Sequence, residues 1–190
     1  MERMLLICAM LCLNIVVASA QKIVKDNVDI FTKEHIVETS ANYYYTSTNE
    51  SPGMSCKIEK EGNNVIVVVT IAGTKNLEVS PNMTTELFTL DVNGVVKRLE
   101  SQDNLHMQEK TTTSGIHWGF GIMSGKMHEA HDINAKIPIN IGNATYFSGT
   151  FITNIRVKIG TNKFDYKLNN TEQKSFAKLF DLIIPYMQTE

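Results

Sequence analysis

Between residues 132 and 168 apolar and polar side chains alternate almost without a break. Ile133, Ala135, Ile137, Ile139 and Ile141 alternate with Asp132, Asn134, Lys136 and Asn140. Phe147, Phe151, Ile155, Val157 and Ile159 then alternate with Ser148, Thr150, Asn154, Arg156 and Lys158, and Phe164, Tyr166 and Leu168 continue the pattern. A period of two sends successive side chains to opposite faces of a pleated sheet. The chain therefore has to build a β-sheet with one apolar face. Residues 145–159 read as a single strand that would run roughly 50 Å at ~3.3 Å per residue, so it must bend. Gly149 is the natural bend. Gly142-Asn143-Ala144 and Gly160-Thr161-Asn162 read as turns on either side, and Pro138 puts its strand at an edge or a bulge.

Further strands precede this stretch. Residues 65–71 are apolar on both faces, which suits a central strand. Asn93-Gly94 reads as a two-residue hairpin loop; that register pairs Phe88 with Leu99 and Val92 with Val95. Ile116, Trp118, Phe120 and Ile122 alternate with His117, Gly119 and Gly121. At the C-terminus Phe176, Leu179, Phe180, Ile183, Ile184 and Met187 form the stripe of an amphipathic helix. Asn170 and Gln173 resemble a capping box, and Pro185 should kink or end the helix near Ile184. A weaker helix is expected near the N-terminus, with Val24, Val28, Phe31 and His35 on one side. Tyr43-Tyr44-Tyr45 reads as a helix end whose rings pack on the sheet margin. The expected fold class is α+β: a long curled antiparallel meander packed on a C-terminal and an N-terminal helix.

The first residues bear on compartment. Arg3 is followed by an apolar run to Val17 and by Ala18-Ser19-Ala20, the small-residue pattern of a signal-peptidase site. The run falls short of the ~20 residues that span a bilayer. The expectation is a signal peptide over residues 1–20 and one secreted globular domain over residues 21–190, beginning at Gln21. Four N-x-[ST] sequons, at Asn49, Asn82, Asn143 and Asn169, fit that address, although Pro52 disfavours the first. Cys8 and Cys12 leave with the signal peptide, so only Cys56 of the three cysteines remains. No internal disulfide can form, and the domain must rest on its core. Met54 and Ile58 beside Cys56 indicate a buried thiol.

Composition narrows the partners. The net charge is −2, with both signs mixed along the chain. There is no basic stripe for nucleic acid and no polybasic cluster for anionic lipid. Gly121-Ile122-Met123-Ser124-Gly125 lacks the spacing of a nucleophile elbow, and nothing local activates Cys56. His128 and His131, with His117, would have to converge to hold zinc, which needs three or four ligands. Histidines three apart share a face only on a helix, and this segment runs into a strand. The reading is non-enzymatic, with no metal and no cofactor.

The apolar face leaves two uses open. Glycines at 119, 121 and 149 and the adaptable Met123 and Met127 suit a slot for a small apolar ligand, and an ordinary filled core explains the same residues. Ile137-Pro138-Ile139-Asn140-Ile141, then Tyr146 and Gly149, then Gly160 and Phe164, resemble a segment of the juvenile-hormone-binding and takeout-like secreted proteins of arthropods. The resemblance covers about the last third of the chain. Tyr146 and Gly149 stand one residue closer than in that family, and its paired N-terminal cysteines are missing. The resemblance implies a bent sheet wrapped around a long helix with an apolar tunnel. The leading expectation is a secreted carrier of a small hydrophobic ligand, lined by Trp118, Phe120, Phe147, Phe151, Ile155, Phe176 and Phe180. The rival is a secreted protein-interaction effector with a filled core, its surface sought first at Tyr43–Tyr45.

Overall fold

The computed structural model describes residues 21–45, 52–74, 83–101, 106–113 and 127–187. In chain order the elements are β1 (Ile23–Val28), β2 (His35–Thr39), β3 (Asn42–Tyr44), β4 (Gly53–Glu61), β5 (Asn64–Thr74), β6 (Thr85–Asp91), β7 (Val96–Glu100), β8 (His106–Thr113) and β9 (Met127–Pro138). A helix α1 (Ile141–Gly149), strands β10 (Ile152–Ile159) and β11 (Asn162–Lys167) and a helix α2 (Asn170–Met187) complete them. The class is α+β. In place of one curled meander the described residues form two sheets, antiparallel in every pairing. One runs β1-β2-β4-β5-β9-β8 with β3 also on β4, and the other runs β11-β10-β6-β7.

The larger sheet follows the alternation closely. Met54, Cys56 and Ile58 of β4 and Val65, Val67, Val69 and Ile71 of β5 are buried, and β5 lies between β4 and β9 as its two-sided apolar run implies. Ile133, Ala135 and Ile137 of β9 join the same face. Pro138 pairs only with Ile66 of β5, because β8 covers β9 no further than Asn134, so the proline takes a local edge where its missing N–H costs nothing. Cys56 is fully buried.

The expected long strand is not there. Residues 141–149 form helix α1, and only residues 152–159 are extended. Asn140 caps the helix: its Oδ1 accepts the Asn143 N–H at 2.8 Å and its carbonyl the Ala144 N–H at 3.0 Å. Phe147 and Phe151 fit the strand period, but the buried pair Ala144 and Phe147 is spaced i, i+3, which shares a face only on a helix, and the cap selects the helix. Tyr146 and Gly149, expected on the long strand, are therefore helical. Near the N-terminus, where a helix was expected, β1 and β2 pair as a hairpin. Tyr43–Tyr45 end no helix either; Tyr44 is buried on edge strand β3 while Tyr43 and Tyr45 are exposed.

Smaller corrections follow from local hydrogen bonds. The β6–β7 loop has three residues, not two: the Gly94 N–H reaches the Asp91 carbonyl, the Asp91 N–H reaches the Val95 carbonyl, and Gly94 sits at φ 80°. The register moves by one, pairing Leu87 with Leu99 and Phe88 with Arg98. The α2 capping box is Asn169–Glu172, one residue before the expected pair. Asn169 Oδ1 accepts the Thr171 and Glu172 N–H groups, and Glu172 Oε2 accepts the Asn169 N–H. Pro185 lies inside the last turn of α2 and does not end the helix at Ile184. The stripe itself stands: Phe176, Leu179, Phe180 and Ile183 are buried, in one cluster with both sheets and α1.

Candidate functional site

Phe147 on α1 and Phe176 and Phe180 on α2 are brought together, but they fill the space between them. Their ring centroids are 4.9 to 5.9 Å apart, and each is no more than 1% exposed. Rings at such separations in tilted and edge-on geometry are close packed. Tyr44 adds an edge contact to Phe176 at 6.3 Å. Ile155 is buried on β10, in register with Tyr166 of β11. Phe151 stands apart from the group, 48% exposed between α1 and β10. Trp118 and Phe120 lie outside the described residues, as do His117 and the sequons at Asn49 and Asn82.

The other sheet face is set by the three-residue loop. Because the register moves by one, Leu87 and Leu99 turn inward, and Phe88 and Leu90 turn to the outer face of the four-stranded sheet. The pairings then lay out that face as three rows. Val96, Leu90, Asn154 and Lys167 form the row at the loop end; Arg98, Phe88, Arg156 and Asp165 form the middle; Glu100, Glu86, Lys158 and Lys163 form the far row. The far rows are held by charge. Arg98 meets Glu86 and Glu100, Lys158 meets Glu86, and Arg156 grips Asp165 through Nε and a terminal nitrogen at 2.5 and 2.8 Å. The Lys158 ammonium, beside the Arg98 guanidinium, holds Glu86 below the usual carboxylate range, and Arg156 does the same for Asp165.

The loop-end row sets the apolar Val96 and Leu90 beside the polar Asn154 and Lys167. A groove of about 390 Å3 lies between it and the middle row, lined by Phe88, Leu90, Val96, Asn154, Arg156 and Asp165, with the buried Ile155 beneath. Val92, Val95 and Val96 are each about half exposed. The Val92 N–H donates to the Phe151 carbonyl at 3.1 Å, so the hairpin tip and Phe151 form one apolar rim. Asp91 fixes the tip. Its Oδ1 accepts the Asn93 and Val95 N–H groups at 2.8 Å, and its Oδ2 accepts the Tyr146 hydroxyl at 2.9 Å. Burial opposes its charge, but these donors together hold its pKa below the ordinary value. The sequence offered a signal for this surface: Asp91 and Gly94 stand at the first and last positions of a type I turn. Reading Asn93-Gly94 as a two-residue loop hid it.

A second hollow, of about 860 Å3, lies on the outer face of the larger sheet, between Tyr43, Lys57, Thr70, Asn134 and Lys136. Its lining mixes polar and apolar groups, with Lys57 bridging Glu38 and Glu59 at 2.7 Å each. His128 and His131 both lie on strand β9, not on a helix. Among the described residues no group of three or more His, Cys, Asp and Glu could hold a metal ion, and no helix is long and apolar enough to cross a membrane. Of the two described sequons, Asn169 is exposed at the start of α2, while Asn143 is half-buried in the first turn of α1. In comparisons with protein-family models, curated proteins and solved structures, nothing matches this chain.

Proposed function

We propose that this chain is a secreted, non-enzymatic glycoprotein that binds a protein partner through the loop end of its four-stranded sheet. The observation that carries this reading is the contrast between inside and outside. The phenylalanines that could have lined an internal ligand slot pack on one another. Meanwhile Val92, Val95, Val96 and Phe151 stand exposed around the hairpin tip, with Val95 on the face opposite Val96. An apolar rim bordered by ion pairs has the make-up of a contact patch: an apolar centre for affinity and a charged margin for orientation. The leader-like residues 1–20 and the exposed Asn169 sequon support the secreted address.

The test uses the secreted protein carrying a photo-crosslinking residue at position 95, with one at position 43 as the control on the other sheet. The expected result is a partner adduct from position 95 only, lost in Val96→Glu with folding unchanged by circular dichroism. Equal adducts from both positions, or an adduct that survives Val96→Glu, would overturn the assignment.

The groove supports a second reading, since about 390 Å3 lies within the range of small-molecule sites. A small apolar ligand would then lie on the outer face over Phe88, Leu90 and Val96, and not between sheet and helices. Organic extraction and mass spectrometry separate the two. Stoichiometric recovery of a lipid-like molecule favours the carrier, and a clean extract favours the protein partner.

A further inference from the structure

Gln21, the residue that follows the expected signal-peptidase site, is only 9% exposed. Its carboxamide is fully used. The Nε2 donates to Asn42 Oδ1 and to Ser175 Oγ, the latter at 3.2 Å, and Oε1 accepts from Ser40 Oγ at 2.9 Å. Ser175 Oγ also donates to Asn42 Oδ1 at 2.7 Å, which closes the cluster. The partners come from three places: Ser40 between β2 and β3, Asn42 on β3 and Ser175 on α2. The backbone clamps the same point, with the Ser40 N–H on the Lys22 carbonyl at 2.8 Å and the Lys22 N–H on Ser40 Oγ at 3.2 Å.

A glutamine at a free N-terminus is chemically unstable. Its α-amine attacks its own Cδ, a C–N bond forms, the Cδ–Nε2 bond breaks, and Nε2 leaves as ammonia. The product is a five-membered lactam, with one proton of the amine transferred to the departing nitrogen. That closure needs the carboxamide folded back on its own backbone. Here it is turned into the cluster, and folding it back would give up all three of its hydrogen bonds.

We propose that Ser40, Asn42 and Ser175 form a retention site that keeps an N-terminal Gln21 open, so that the folded protein carries a free amine where the unfolded chain would cyclise. This rests on the reading that the leader is removed after Ala20, because only then is Gln21 terminal. The site would also make the new terminus a tie between β3 and α2.

Mass spectrometry of the N-terminal peptide tests both points and keeps them apart. The expected secreted product starts at Gln21 with its carboxamide intact. During warm incubation the folded protein should lose ammonia on the order of a hundredfold more slowly than the urea-unfolded protein, the factor that three ordinary hydrogen bonds supply. The Ser40→Ala/Ser175→Ala variant should close most of that gap while staying folded. Equal rates in the folded and unfolded chain, or a lactam formed in the folded wild type as fast as in the variant, would overturn the retention site. A terminus at another residue overturns the cleavage reading alone, and the same time course on a chain released at Gln21 by an engineered protease then decides retention.

Discussion

Three single residues carry separable consequences. Asn169 does two jobs with two atoms: Oδ1 caps α2, while Nδ2 is the atom a glycan would occupy. Asn169→Asp should therefore abolish glycosylation at this position and leave thermal stability nearly unchanged. Asn169→Ala should abolish it and cost about 1 kcal/mol. A glycosidase mobility shift and a melting curve check the pair. Cys56 makes a different case. Burial pushes its thiol from 9.0 up to about 12, so the folded state keeps the proton where the unfolded state releases it. The corresponding stability is fully present below the ordinary value of 9.0 and is lost as pH rises through the interval toward about 12. Cys56→Ala should flatten the alkaline fall in melting temperature, and native Cys56 should resist a maleimide that labels it in urea. Gly94 is the third. A Cβ there would meet nothing within 4 Å, so at φ +80° the cost of Gly94→Ala is pure backbone strain, about 1 kcal/mol by denaturant titration.

At the scale of elements, the helices are held by one aromatic knot. Phe147 is the contribution of α1, and it touches both Phe176 and Phe180 of α2. Phe147→Ala should cost about 3–5 kcal/mol, because a rigid core of this kind collapses only partly into the space left behind. Phe151→Ala, four residues on but exposed, should change stability by less than about 0.5 kcal/mol. Urea unfolding of the two variants side by side measures the difference. Equal costs would mean that α1 is not anchored through Phe147. The far end of α2 is tied separately: Tyr186 donates to Asp26 Oδ2 at 2.8 Å, and His35 Nε2 lies 2.6 Å from Asp26 Oδ1. This clamp joins the last helical turn to the β1–β2 hairpin.

For the whole molecule, charge sets an acid boundary. Hydrogen bonds, foremost from His35, Lys158 and Arg156, hold Asp26, Glu86 and Asp165 below their ordinary values of 3.8 to 4.5. A carboxylate lowered by folding stabilises the native state fully above that ordinary range, and the contribution is lost as pH falls through the lowered folded values. The melting temperature should thus drop below about pH 4, and Glu86→Gln should soften the drop. The sequence by itself determined the β-sheet with one apolar face, the central place of β5, the burial of Cys56 and the stripe of α2. Each is a local periodicity that water enforces wherever a chain has to bury one side. Only the tertiary structure decided that residues 141–149 coil, that residues 23–39 pair as strands, and that the sheet is two sheets. Phe147 satisfies both periods, and Asn140 together with the facing Phe176 and Phe180 settles which one wins. The candidate surface was least legible of all. One extra loop residue, fixed by the bonds from Asp91, moves the β6–β7 register by one and turns Phe88 and Leu90 out to solvent. Alternation states that a strand has two faces, while which face meets the core depends on the partner strand.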